Sequence, residues 1–105
     1  MKVLLDECVP WPMHKLLVGH DCSNAQRQGW NAVKNGDLLQ LAELHFDLFI
    51  TSDQGIRYHQ NLADRRIAII EISTNDLGRI QANAMAIKNA VESIRAGEFL
   101  SLRIG

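Results

Sequence analysis

The chain is 105 residues long with a formal net charge of -1, 47% hydrophobic and 22% charged residues. That is one domain with enough apolar content to bury a core unaided, and the charge balance excludes a protein that coats nucleic acid through bulk positive charge. No apolar run approaches the ~20 residues needed to span a bilayer, and the start on Met1-Lys2 and a strand, without a leader, makes the cytoplasm the expected location.

Lys2 to Leu5 reads as a strand that runs into Asp6-Glu7. Pro10 and Pro12 fit the first turn of a helix with Met13, Leu16 and Leu17 on its apolar side, and Gly19 ends it. His20 to Ala25 gives a weak second strand, and Gln26 to Gly36 a loop in which Trp30 is the expected anchor. Asn35 to Asp37 starts a helix carrying Leu38, Leu39, Leu41, Ala42 and His45. Phe46 to Ser52 is a buried strand delivering Asp53, the polar stretch 54–66 is too long for a tight turn, and Ile67 to Ile72 is another buried strand.

Leu77, Ile80, Ala84, Ile87, Val91 and Ile94 recur at helical spacing, which predicts one long helix stopped by Gly97. Glu98 to Ile104 alternates as a final strand. Strands alternating with helices predict an α/β domain spanning residues 1–105, with a mostly parallel central sheet between two helical layers. Cys8 and Cys22 read as small buried thiols, since a cytosolic chain with a good core needs no disulfide.

Two of the strands stop at carboxylates, and in open α/β sheets the ligand crevice lies outside the carboxyl ends of the strands. Asp6, Asp37 and Asp53, with Glu7 beside the first, are therefore candidate ligands for Mg2+ or Mn2+, because gathered carboxylates repel unless a proton or cation is shared. Such an ion activates water and neutralises phosphodiester charge. The plain alternative is that these acids cap helices and turns. Thr51 and Ser52 are placed to hydrogen-bond a metal-bound water or phosphate. Lys34, Arg57, Arg65 and Arg66 offer phosphate clamps, and Tyr58 offers a base-stacking ring. The histidines lack zinc spacing, and neither a Gly-rich phosphate loop nor a serine nucleophile motif is present.

The segments Leu4-Leu5-Asp6-Glu7-Cys8-Val9-Pro10, Lys34-Asn35-Gly36-Asp37-Leu38-Leu39 and Phe46-Asp47-Leu48-Phe49-Ile50-Thr51-Ser52-Asp53-Gln54, followed by Tyr58 to Leu62 and Arg65-Arg66, resemble the small PIN-like proteins of the DUF5615 family. The resemblance implies a three-layer α/β/α PIN-like domain that cuts single-stranded RNA with Mg2+ or Mn2+. It also implies the toxin half of a toxin–antitoxin pair, restrained by an antitoxin protein and commonly forming a homodimer. Asp6, Asp37 and Asp53 match its metal-binding and catalytic acids. A fourth acid has no clean match, with Glu71 and Asp76 as candidates. Two other classes stay open: a non-catalytic PIN-like module binding RNA or protein, and a phosphoacceptor receiver domain with Asp53 as acceptor. A receiver would need a lysine after its last strand, where this chain has Leu102-Arg103-Ile104-Gly105.

Overall fold

A computed structural model describes residues 1–30, 32–33, 35–56 and 65–104, and in it the chain forms a five-stranded, all-parallel sheet flanked by helices. The strands are β1 (Lys2–Leu5), β2 (Asp21–Asn24), β3 (Leu48–Thr51), β4 (Ala68–Ile72) and β5 (Phe99–Leu102), ordered β2-β1-β3-β4-β5. Every residue of β3 and β4 is buried, as expected of central strands covered on both sides, including the two polar residues Thr51 and Glu71 in otherwise apolar runs.

Successive residues along a strand point to opposite faces, and the core divides accordingly. Val3, Leu5, Ile50 and Ile70 belong to one cluster with Met13, Ile80, Ile87 and Val91. Leu4, Phe49 and Ile69 belong to a second with Leu38, Leu39 and Ala42, against which Trp30 and Phe46 pack. Helix α1 (Asn35–His45) supplies the helical side of the second cluster; α2 (Leu77–Ala82) and α3 (Ala84–Ser93) supply that of the first. Trp30 meets Phe46 edge-on at 6.1 Å and thereby fastens the loop before α1, as its expected anchoring role requires.

Three local expectations are corrected. The helix after Pro10 is a 3-10 helix over Trp11–Leu16. Pro12 brings no N–H, and Nδ1 of His14 donates to the Trp11 carbonyl at 2.6 Å, a further bond local to this turn. Backbone bonds then run from Met13 to Pro10 and from Leu17 to His14, the three-residue spacing of the tighter helix.

The long C-terminal helix is two helices meeting at Asn83, whose φ is -111° and ψ 25°. Its side-chain nitrogen donates to the Arg79 carbonyl at 2.8 Å, a local bond that competes with continuation of the helix. The apolar stripe survives the break, because Ile80, Ile87 and Val91 are all fully buried. Gly97 is not the helix stop: α3 ends at Ser93 with Ile94 as its cap, and Gly97, at φ +82°, turns the chain toward β5.

The third correction concerns the thiols: Cys8 is exposed and Cys22 half-buried, and both are free. Among the described residues no helix is long and apolar enough to cross a membrane.

Candidate functional site

In this sheet order the chain runs from β1 outward to β2, then returns past β1 to β3, so the direction of winding reverses between β1 and β3. A ligand crevice in an open α/β sheet forms at such a reversal, outside the carboxyl ends of the two strands. Asp6 follows β1 there and Asp53 follows β3.

Asp6 continues the ladder one residue past β1, its N–H donating to the Ile50 carbonyl at 2.9 Å, so its backbone is fixed by the sheet itself. Its side chain is 8% exposed. Oδ1 accepts from the Glu7 N–H at 2.8 Å, and Oδ2 accepts from the Thr51 hydroxyl at 2.7 Å. The same hydroxyl oxygen accepts from the Asp53 N–H at 3.0 Å. Thr51, fully buried, therefore joins the acid after β1 to the acid after β3 through one atom. Asp53 in turn folds its Oδ1 onto the Gly55 N–H at 2.9 Å, which fixes the turn it starts.

Cys8 sits against this junction. Its Sγ is 3.5 Å from Asp6 Oδ2 and 3.6 Å from Thr51 Oγ1. The threonine proton is committed to Asp6, so the thiol must be the donor in either contact. Ser52 donates to the Cys8 carbonyl at 3.3 Å and stitches the two loops together a second time.

Glu71 on β4 stands opposite Thr51 in the register, and Ser101 on β5 stands opposite Glu71. This glutamate is 5% exposed; Oε1 accepts from the Ser101 hydroxyl at 3.3 Å, and Oε2 is buried without a hydrogen-bond partner among the described residues. Buried carboxylate oxygens are normally satisfied, so the orphan calls for a water, a proton or a cation. Asp6, Thr51, Glu71 and Ser101 thus form a polar row across adjacent strands, on the face whose apolar residues pack against α1.

The other acids are more dispersed. Asp37 is exposed in the first turn of α1, which topology puts at the same sheet edge because α1 follows β2 and precedes β3. Glu7 is exposed. Asp76 caps α2, its Oδ2 accepting from the Arg79 N–H at 3.0 Å, which accounts for it as a structural residue. Among the described residues no three His, Cys, Asp or Glu side chains come together as a group able to hold a metal ion, so Asp6, Asp37 and Asp53 are not gathered into a three-ligand cage. The hard oxygens of Asp6 and Asp53 fit a smaller demand: magnesium keeps several waters and is often held by one or two carboxylates plus substrate phosphates. The orphaned Glu71 oxygen nearby is the structural observation that agrees with a cation at this edge.

Of the basic residues expected around the acids, the two that the structure describes are elsewhere. Arg65 and Arg66 precede β4 and so stand at the amino edge of the sheet, where Arg65 lies 3.6 Å from Glu43 and the Arg66 N–H donates to Glu43 at 3.0 Å. Lys34, Arg57 and Tyr58 lie outside the described residues. What adjoins the acids instead is a cleft of about 350 Å³ lined in part by Asp6, Glu7, Pro10, Trp11, Asn24 and Gln26. The contact of Cys8 and the orphaning of Glu71 were not read from the sequence. The one available signal was a lone charge inside the apolar run Ala68-Ile69-Ile70-Glu71-Ile72.

No protein-family model, curated protein or solved structure matches this chain.

Proposed function

We propose that the chain is a divalent-metal-dependent endoribonuclease of PIN-like type acting on single-stranded RNA. The observation that carries the reading is the single Thr51 hydroxyl shared by Asp6 and Asp53 at the winding reversal of the sheet. Asp6 and Asp53 would hold Mg2+ or Mn2+, with Asp37 presented from the first turn of α1. The ion, when bound, supplies activation of water and neutralisation of the phosphodiester charge. The chain's own contribution is positional: Thr51 and the Glu7 N–H aim the Asp6 carboxylate, and the Gly55 N–H aims that of Asp53. The resemblance to the DUF5615 family adds a cytoplasmic toxin role, an antitoxin protein as partner and a homodimer.

The test is cleavage of labelled single-stranded RNA with Mn2+ or with a chelator. Cleavage is expected only with the metal. D6N and D53N should fold and lose activity by more than the roughly 10- to 100-fold that loss of an outer-shell partner costs. Unchanged cutting by either variant would falsify the assignment, and RNA binding without cutting in the parent would point to the non-catalytic module.

The strand order favours a second reading. Paired acids after β1 and an aspartate ending β3, in a sheet wound β2-β1-β3-β4-β5, are also the layout of a phosphoacceptor receiver domain. Against it, such a domain needs a lysine after its last strand, where this chain has Leu102-Arg103-Ile104-Gly105. Phosphorylation of Asp53 by acetyl phosphate with magnesium would select that reading over the nuclease.

A further inference from the structure

The cleft at Asp6 continues, on the side of β2, into a stack of flat side chains. The His14 ring lies on the Trp11 indole with centroids 4.2 Å apart and planes 18° from parallel, and the Arg27 guanidinium is centred 4.3 Å from the indole ring. Trp11 packs against the first core cluster and does not depend on a ligand for its place. Arg27 is exposed, and its backbone N–H donates to Asn24 Oδ1 at 2.8 Å, which fixes the turn that presents it. With Oδ1 so engaged, the amide nitrogen of Asn24 is left as a donor at the cleft wall. Trp11, Asn24 and Gln26 line both the cleft at Asp6 and the adjoining groove of about 370 Å³ that Arg27 borders, so the two spaces share a wall.

We infer that the Arg27–Trp11 stack is a base platform, taking one unpaired nucleobase of a single-stranded RNA whose backbone passes Asp6. This rests on the nuclease reading for its substrate class. A guanidinium centred over an indole presents a planar, electron-poor, cationic group to solvent. An unpaired base is the flat partner that covers such a group while its phosphates gain from the charge. The carboxamides of Asn24 and Gln26 offer both donors and acceptors, which suits the mixed edge of a base better than a purely apolar or purely charged ligand. A duplex keeps its bases stacked inside and cannot use the platform.

The experiment uses the full chain in chelator, so that no cutting occurs, and fluorescence anisotropy with a fluorescein-labelled oligouridylate of about eight nucleotides. R27A is expected to weaken binding about tenfold, the loss of one stacked base, and R27K is expected not to restore it because lysine keeps the charge without the plane. Parental binding by either variant would overturn the platform, as would an equal loss toward duplex RNA, which would mean charge alone. Cleavage in Mn2+ without Arg27-dependent binding would leave the nuclease standing and remove the platform. Arg27-dependent binding with no cleavage would do the reverse.

Discussion

Both edges of the sheet carry acids, and they use them differently. At the amino edge, Asp47 accepts from the Lys2 N–H at 2.8 Å, and Glu43 takes the Arg66 N–H at 3.0 Å and faces Arg65. Each of these carboxylates closes a backbone donor that the start of a strand leaves open, and Asp47 does so at the surface where water helps. At the carboxyl edge, Asp6 and Glu71 are buried, and Glu71 keeps an oxygen without a hydrogen-bond partner among the described residues. An acid that finishes a ladder is explained by folding; a buried acid with a spare oxygen is not.

Several substitutions break or sharpen this contrast. The largest effect is expected at Thr51. T51V keeps the volume but strips the hydroxyl from both Asp6 Oδ2 and the Asp53 N–H, and should cost about 3 kcal/mol in a denaturant titration, since the buried Asp6 carboxylate loses its shortest hydrogen bond and the half-buried Asp53 N–H loses its acceptor at once. A wild-type midpoint would mean the shared hydroxyl is incidental. Next, E71M removes a buried carboxylate whose Oε2 is orphaned and leaves only Ser101, which is exposed and can turn to water. It should stabilise the metal-free protein by about 1–3 kcal/mol, read as a raised melting temperature. D47A should shift stability in the opposite direction and by less, because water replaces part of the lost bond. If E71M and D47A both destabilise, the distinction between the edges fails.

The smallest effect is one of pH. Burial first, and the neighbouring Asp21 charge second, push the Cys22 thiol above its ordinary value. Above the ordinary thiol range the unfolded chain gives up this proton while the folded chain keeps it, so stability falls as pH rises through that window and is fully present below it. C22A should flatten that alkaline slope. Under mild iodoacetamide treatment, Cys8 should be labelled before Cys22, because Cys8 is exposed, and mass spectrometry of the peptides reports the order.

Much of the fold was legible because burial on both faces leaves a mark that needs no context. The largely apolar runs of β3 and β4 appear where expected, β1 has the bounds read from the sequence, and α1 begins at its Asn35 to Asp37 signal. The breaks were not legible. The stripe from Leu77 to Ile94 continues in phase across Asn83, so periodicity alone cannot report a side chain that turns back onto the Arg79 carbonyl. The 3-10 turn after Pro10 hides too, since the local bonds that accompany it, that of the His14 side chain among them, leave no mark in the apolar spacing.

At the site, Asp6 and Asp53 could be placed from the strand ends that carry them. The joining atom could not, since a threonine in a strand is ordinarily there for its shape. Nor could the stack of Trp11 and Arg27, residues distant in sequence that only the packing of β2 beside β1 brings together.

The central claim is that the carboxyl edge binds a divalent cation through Asp6 and Asp53, and titration of Mn2+ into the metal-free protein, followed by the electron paramagnetic resonance signal of the free ion, tests it most directly. The account predicts saturable uptake by the parent and its loss in both D6N and D53N, each still folded. Uptake that is unchanged in the two variants, or absent from the parent, would contradict it.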